Sequence, residues 1–218
     1  MCIIKRKQRI PYEKINEIAE IPNCPEDLLN KILPRRVGDG FTIYYGGWIT
    51  ETRGLIQLSK AIREIDRVQL IVAGSGNNEE ELKNRINQDN VKFIGWLSYQ
   101  DSLSIAAGSD IIFAFYDPRI RINRLAVSAK IPEAMMFGKP VLGNRESAIM
   151  ADVILKEECG LVVPYADIEG IRNAIISLKI NPALLERLGK NGRKAYEEKY
   201  SWTIMENRLV TAYKNLHH

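Results

Sequence analysis

Histidine is nearly missing from this sequence. The only two, His217 and His218, close the chain, which excludes a histidine-based catalytic site within the fold. Cysteine is scarce as well: Cys2, Cys24 and Cys159 are an odd number without C-x-x-C spacing. Neither a disulfide framework nor a zinc site is indicated, and a reducing, cytoplasmic compartment is expected. No apolar run approaches the roughly 18 residues of a membrane helix, and the N-terminus lacks the apolar core of a secretory signal. The charge surplus is small, since +4 at neutral pH suits an anionic ligand or contact with a membrane surface without making a nucleic-acid signature. The longest basic cluster, Lys5-Arg6-Lys7-Gln8-Arg9, has no aromatic residues between its charges and reads as a solvated run. What remains is an ordinary globule, 218 residues long and 45% hydrophobic, enough for one well-buried domain or one domain with an appendage.

Residues 1–38 differ from the rest. They are charged, contain Pro11, Pro22, Pro25 and Pro34, and predict a connecting segment with at most short helices near 12–19 and 25–32. From Phe41 the pattern alternates. Short β-branched or aromatic runs predict strands at 41–45, 68–73, 91–94, 111–115, 140–142 and 160–163. Helical stretches fall between and after them, at 53–64, 79–88, 99–107, 129–137, 147–157 and 167–178. This alternation predicts an α/β fold, a doubly wound, Rossmann-like parallel sheet of about six strands spanning 39–200, with ligands at the C-terminal strand ends near the switch point. Two long helices follow, at 182–199 and 201–216. Ser201 suits an N-cap, and Met205, Leu209 and Tyr213 make one apolar stripe that either packs on its own core or docks elsewhere.

The stretch from Ser128 to Asn144, SAKIPEAMMFGKPVLGN, is the one the rest is built to present. Pro132 suits a first helical turn, and Gly138 before Lys139-Pro140 suits its end. Lys130 and Glu133 stand three apart on one face, and a helix N-terminus near Ser128 offers an anion cradle. Phosphate is the expected anion, and Glu133 could accept from the two hydroxyls of a ribose. The plainer alternative is a solvated i,i+3 pair.

The loops after strands carry the other candidates. After the first come Gly46 and Gly47, which let a backbone approach a ligand closely, and Arg53, which can fork onto a phosphate; a plain βα turn is the alternative. Gly74-Ser75-Gly76 invites a dinucleotide reading but lacks the third glycine and does not follow the first strand, so an NAD site is rejected. Gly95 and Trp96 place a flat residue at a strand end, for a base or merely for a helix cap. After the fourth strand, Tyr116-Asp117-Pro118 opens a basic stretch with Arg119, Arg121 and Arg124.

These motifs in order (YYGGWITETRGL, VQLIVAGSG, VKFIGWLSYQDSLSIAAGSDIIFAFY, SAKIPEAMMFGKPVLGN and GLVVPYADIEGI) resemble the C-terminal, donor-binding half of a GT-B glycosyltransferase of family 4, the retaining group that uses nucleotide sugars. The resemblance implies that Glu133 holds the ribose hydroxyls and that Arg53 stands where the family usually has a phosphate-binding lysine. It also implies that Lys130 fits a variant with a lysine before that glutamate. Two positions depart: Trp48 replaces a common arginine, and Leu125 replaces the first glutamate of the two-glutamate motif. The implied partners are a nucleotide sugar and an N-terminal acceptor domain, with 1–38 as the connection and 201–218 as a helix crossing back. No cofactor or metal is expected, and nucleic acid is not an expected partner. Self-association through the last helix and a peripheral membrane position are further expectations. A non-catalytic nucleotide-binding or scaffold protein is the rival; an epimerase would require histidine and acidic residues that this chain does not offer.

Overall fold

The computed structural model describes residues 20–215. Within them, six strands, β1 (Phe41–Gly46), β2 (Val68–Ala73), β3 (Val91–Phe93), β4 (Ile111–Ala114), β5 (Val141–Asn144) and β6 (Gly160–Val163), form one sheet in the order β3-β2-β1-β4-β5-β6. All pairings are parallel. The helices are α1 (Leu55–Ile62), α2 (Glu79–Ile86), α3 (Tyr99–Gly108), α4 (Lys130–Met136), α5 (Ala148–Lys156), α6 (Ile168–Ile180), α7 (Pro182–Ala195) and α8 (Trp202–Asn215). The fold is the doubly wound, Rossmann-like α/β sheet that the alternation of the sequence predicts.

Strand periodicity sorts the core into two faces. Ile43, Tyr45, Leu70, Val72, Ile111 and Phe113 pack with α1, α2 and α6, whereas Tyr44, Ile71, Ala73, Ile112 and Ala114 pack with α3, α4 and α5. Each fully buried aliphatic side chain stabilises the fold by about 1.5–3 kcal/mol, which is why near-continuous apolar strands can be covered on both sides.

Several boundaries differ from the sequence reading, each for a local reason. Pro140 lies outside its strand, which begins at Val141 with an N–H bonded to the Cys159 carbonyl, a bond proline could not make. Arg53 is not the first residue of α1. It ends a 310 turn, Glu51–Arg53, because Gly54 takes φ 70° and α1 starts after it. The helix expected at 182–199 gives way after Ala195 to a π turn, Tyr196–Tyr200. The expected helix at 25–32 is a single turn closed by Lys31 and Ile32 N–H groups on the Leu28 carbonyl. The helix expected at 12–19 lies outside the described residues.

Residues 20–38 lie against the domain. Cys24 is buried, and the Pro25 carbonyl accepts from the Tyr196 hydroxyl and the Trp202 N–H. Asp27 pairs with Arg193, which also donates to the Met136 carbonyl at the end of α4, at 2.8 Å, and to Glu197 at 2.7 Å. That pairing holds the Asp27 carboxyl below its usual range. In α8, Met205 is buried, Leu209 half-buried and Tyr213 exposed, so cover of the apolar stripe falls away along the helix.

Candidate functional site

Strands β1, β2 and β3 run outward to one side of the sheet and β4, β5 and β6 to the other, so the winding reverses between β1 and β4. Loops leaving these two strands diverge and open a crevice, the usual ligand position in such sheets. The first loop carries Gly46, Gly47 and Arg53; the second leads to Ser128, Lys130 and Glu133.

Two cations cross this crevice from opposite directions. Lys130, from a helix on the second face, runs over the end of β1 and sets its ammonium 4.7 Å from the ring centre of Tyr45 on the first face. Gly47 makes that passage available: at φ 145° it lies beneath the lysine, where a β-carbon would stand 3.1 Å from Nζ. Arg53 comes from the turn before α1 and lays its guanidinium 4.3 Å from the ring centre of Tyr116, beyond β4. Tyr116 is held by Asn144, which accepts from its N–H at 2.8 Å and donates to its carbonyl at 3.1 Å. The Nη1 of Arg53 is buried without a hydrogen-bond partner among the described residues.

The electrostatics follow from this crowding. Lys130 lies deep in the recess although part of it remains open to solvent, and desolvation brings its pKa down to about 8, with Glu133 opposing the shift and Arg53 adding to it. Burial also raises the Glu133 carboxyl above the usual range, against the pull of Lys130 and a hydrogen bond from Tyr99. A desolvated lysine beside an arginine with an unpaired donor is an arrangement that an anion would relieve. Among the described residues, no three His, Cys, Asp or Glu side chains gather as metal ligands.

The remaining predicted residues divide. Glu133 shares α4 with Lys130, and its Oε1 accepts from the Tyr99 hydroxyl at 3.2 Å. Lys130 turns toward Tyr45 rather than forming the solvated i,i+3 pair that was the plainer alternative. Ser128 is buried and committed: its Oγ accepts from the Lys130 N–H at 3.3 Å and its carbonyl from the Ile131 N–H. Helix α4 has only seven residues, Lys130–Met136, against the 129–137 expected from the sequence. A β-carbon at Gly46 would stand 2.7 Å from the Tyr44 hydroxyl, so this glycine makes room for the Tyr44–Ser102 hydrogen bond. Gly95 and Trp96 leave the edge strand β3, two strands and about 10 Å from β1; Trp96 is 74% exposed. They connect to the crevice through Tyr99, at the start of α3.

Gly74 and Gly76 have a packing role that explains the incomplete dinucleotide motif. A β-carbon on Gly74 would collide with the Gly47 carbonyl, and one on Gly76 with the Ile49 carbonyl. Sequence reasoning did not single out Tyr45, Tyr116 and Tyr99 as site residues. Tyrosines at the ends of β1 and just beyond β4 were the available signal, because a strand end with an aromatic residue can seat a cation.

The chain resembles known proteins over most of its described length. It is similar to the GDP-mannose-dependent monoacylated alpha-(1-6)-phosphatidylinositol monomannoside mannosyltransferase of Corynebacterium glutamicum, 35% identical over 148 residues, covering 65% of this chain and 38% of that protein. Sucrose-phosphate synthase of Thermosynechococcus elongatus superposes with a TM-score of 0.69 at 22% identity, covering 90% of this chain and 52% of that one. Anabaena HepE, in complex with UDP, gives 0.69 at 16% identity, covering 81% and 49%. The chain thus spans between 38% and 54% of the first curated relatives it matches. No helix among the described residues is long and apolar enough to cross a membrane. The family model for glycosyl transferases group 1 matches residues 30–195, and the chain belongs to that family.

Proposed function

We propose that this chain is the donor-binding half of a retaining glycosyltransferase, holding a nucleoside-diphosphate sugar at the β1/β4 crevice. The diphosphate lies between Arg53 and Lys130, and Glu133 accepts from the ribose hydroxyls. The observation that carries this reading is the convergence of the two cations, one with an unpartnered buried Nη1. Side chains neutralise the phosphates, so binding requires no metal in this chain. Transfer requires an acceptor domain, and the 218 residues bind donor without transferring it. HepE is described with UDP and with UDP-glucose, which favours a nucleotide sugar as the donor class.

A second reading, a non-catalytic nucleotide-binding or scaffold protein, draws on Trp48, 52% exposed where the resemblance leads one to expect an arginine, and on exposed Leu125 in place of a carboxylate. Calorimetric titration with UDP, GDP and ADP, with and without EDTA, separates the donor domain from a scaffold that binds no nucleotide. Binding of one nucleotide that survives chelation supports the donor domain, and no binding at millimolar concentration favours the scaffold. Glu133→Ala is expected to weaken nucleotide binding about tenfold, the value of one hydrogen bond to a charged group, and to spare pyrophosphate. Equal losses for both ligands would remove the ribose role.

The Lys130 ammonium gives binding a pH limit. The terminal phosphate of a nucleoside diphosphate carries most of its second charge by about pH 7, while Lys130 loses its proton near pH 8. Affinity for a nucleoside diphosphate is therefore expected to fall as pH rises through about 8, with the midpoint moved upward by the bound anion. Stability of the free chain moves the other way: an ammonium whose pKa is depressed on folding opposes the fold below about pH 8, and this cost vanishes toward the ordinary 10.5. Titrations across pH 7–10 should show the fall in the native chain and its absence in Lys130→Arg.

A further inference from the structure

Tyr99 is the first residue of α3, yet its hydroxyl reaches across to α4 and donates to Glu133 Oε1 at 3.2 Å. Its position is fixed from two sides. Ser98 caps the helix, its Oγ accepting from the Asp101 N–H at 3.1 Å. Ser102, three residues along and on the same face of α3, hydrogen-bonds the Tyr44 hydroxyl of β1 at 2.8 Å. This face of α3 is therefore tied to the sheet beside the carboxylate. The Tyr99 residue is 55% exposed, so packing alone does not account for where it points.

An ionised carboxylate has about four lone-pair directions. Tyr99 takes one on Oε1, and among the described residues no hydrogen bond takes Oε2, which leaves acceptor capacity for two further donors. Without that bond the carboxylate, partly desolvated and flanked by Lys130 and Tyr44, has more freedom to rotate toward the ammonium. We propose that Tyr99 is a positioning residue that sets the Glu133 carboxylate for recognition of a ribose diol. This rests on the donor-site reading above, and it makes α3 the element that lets the site tell a ribonucleotide from a deoxyribonucleotide.

The test compares the full chain with Tyr99→Phe and Glu133→Gln by calorimetry, using UDP, GDP and ADP, their 2′-deoxy counterparts, and pyrophosphate. The native chain should prefer a ribonucleotide to its 2′-deoxy form by about tenfold, one hydrogen bond to a charged acceptor. Tyr99→Phe should cut that preference about threefold or more while leaving pyrophosphate affinity unchanged. Because the tyrosine is half-exposed and phenylalanine keeps the ring, the variant should fold. If Glu133→Gln removes the preference but Tyr99→Phe does not, the positioning role is wrong and the donor reading stands. A preference untouched by either variant, or no nucleotide bound at all, overturns both. If Tyr99→Phe weakens pyrophosphate as much as nucleotide, the tyrosine serves the fold and not the diol.

Discussion

Arg53→Met is expected to bind pyrophosphate and nucleoside diphosphates about a hundredfold more weakly than the native chain while unfolding at the same temperature or higher. The two effects come from one fact. The Arg53 guanidinium lies over Tyr116 with Nη1 buried and unpaired, so in the free protein it carries a desolvation cost of about 1–3 kcal/mol. Methionine fills similar volume over the ring and removes that cost. What it cannot supply is a charge-assisted fork onto phosphate, where each bond contributes about 1.5–3 kcal/mol. Two such bonds give a hundredfold or more. A residue kept for the fold would behave oppositely, losing stability and leaving affinity intact, so paired thermal melts and titrations decide the matter. Unchanged pyrophosphate affinity would remove Arg53 from the anion site. Lys130→Met is the companion: it removes the second charge and, with it, the decline in affinity above pH 8.

Most of the sheet was legible because its strands are buried on both faces and so read as short unbroken apolar runs. β2 and β6 match the predicted limits residue for residue, β1, β3 and β4 differ by one position at one end, and β5 differs by one position at its start and two at its end. The end of α4 was legible for a different reason: Gly138 takes φ 61°, and the N–H groups of Gly138 and Lys139 close back on Met135 and Ala134. The placement of Arg53, by contrast, depends on Gly54, whose positive φ breaks the helix and whose missing side chain admits Phe115, since a β-carbon there would stand 2.9 Å from that of Phe115. Nothing in the local pattern reveals a contact to a residue 61 positions away. The same holds within the crevice. Spacing put Lys130 and Glu133 on one helix face, and it could equally mean a solvated pair. Only tertiary structure sends the lysine across Gly47 to Tyr45 and brings Tyr99 to the glutamate. Ser128 shows the converse, a residue chosen for an exposed helix end that spends its hydroxyl inside the turn.

Gly74→Ala is expected to destabilise the chain by about 3 kcal/mol or more, because two recognised causes act at once. Gly74 holds φ 130°, a region that L side chains avoid, and its β-carbon would collide with the Gly47 carbonyl. That carbonyl cannot withdraw freely. The strand-end loops are laced together by Gly47 N–H to the Ala73 carbonyl at 2.9 Å, Ile49 N–H to Ser75 at 2.9 Å and Gly74 N–H to Gly95 at 2.8 Å. Ile49 is fully buried, so a shift of the first loop also disturbs the core. For a domain of this size the loss corresponds to a fall in Tm of about 6–12 °C. Ser75→Ala, at an exposed position between the two glycines, should change stability by no more than about 0.5 kcal/mol. The pair discriminates between two meanings of Gly74-Ser75-Gly76. If the segment cradled a phosphate, Gly74→Ala would cost affinity with little change in Tm. If it is the floor under the β1 loop, Tm falls first, and pyrophosphate affinity falls with it below the melting range, because Gly47 is the surface on which the Lys130 ammonium rests.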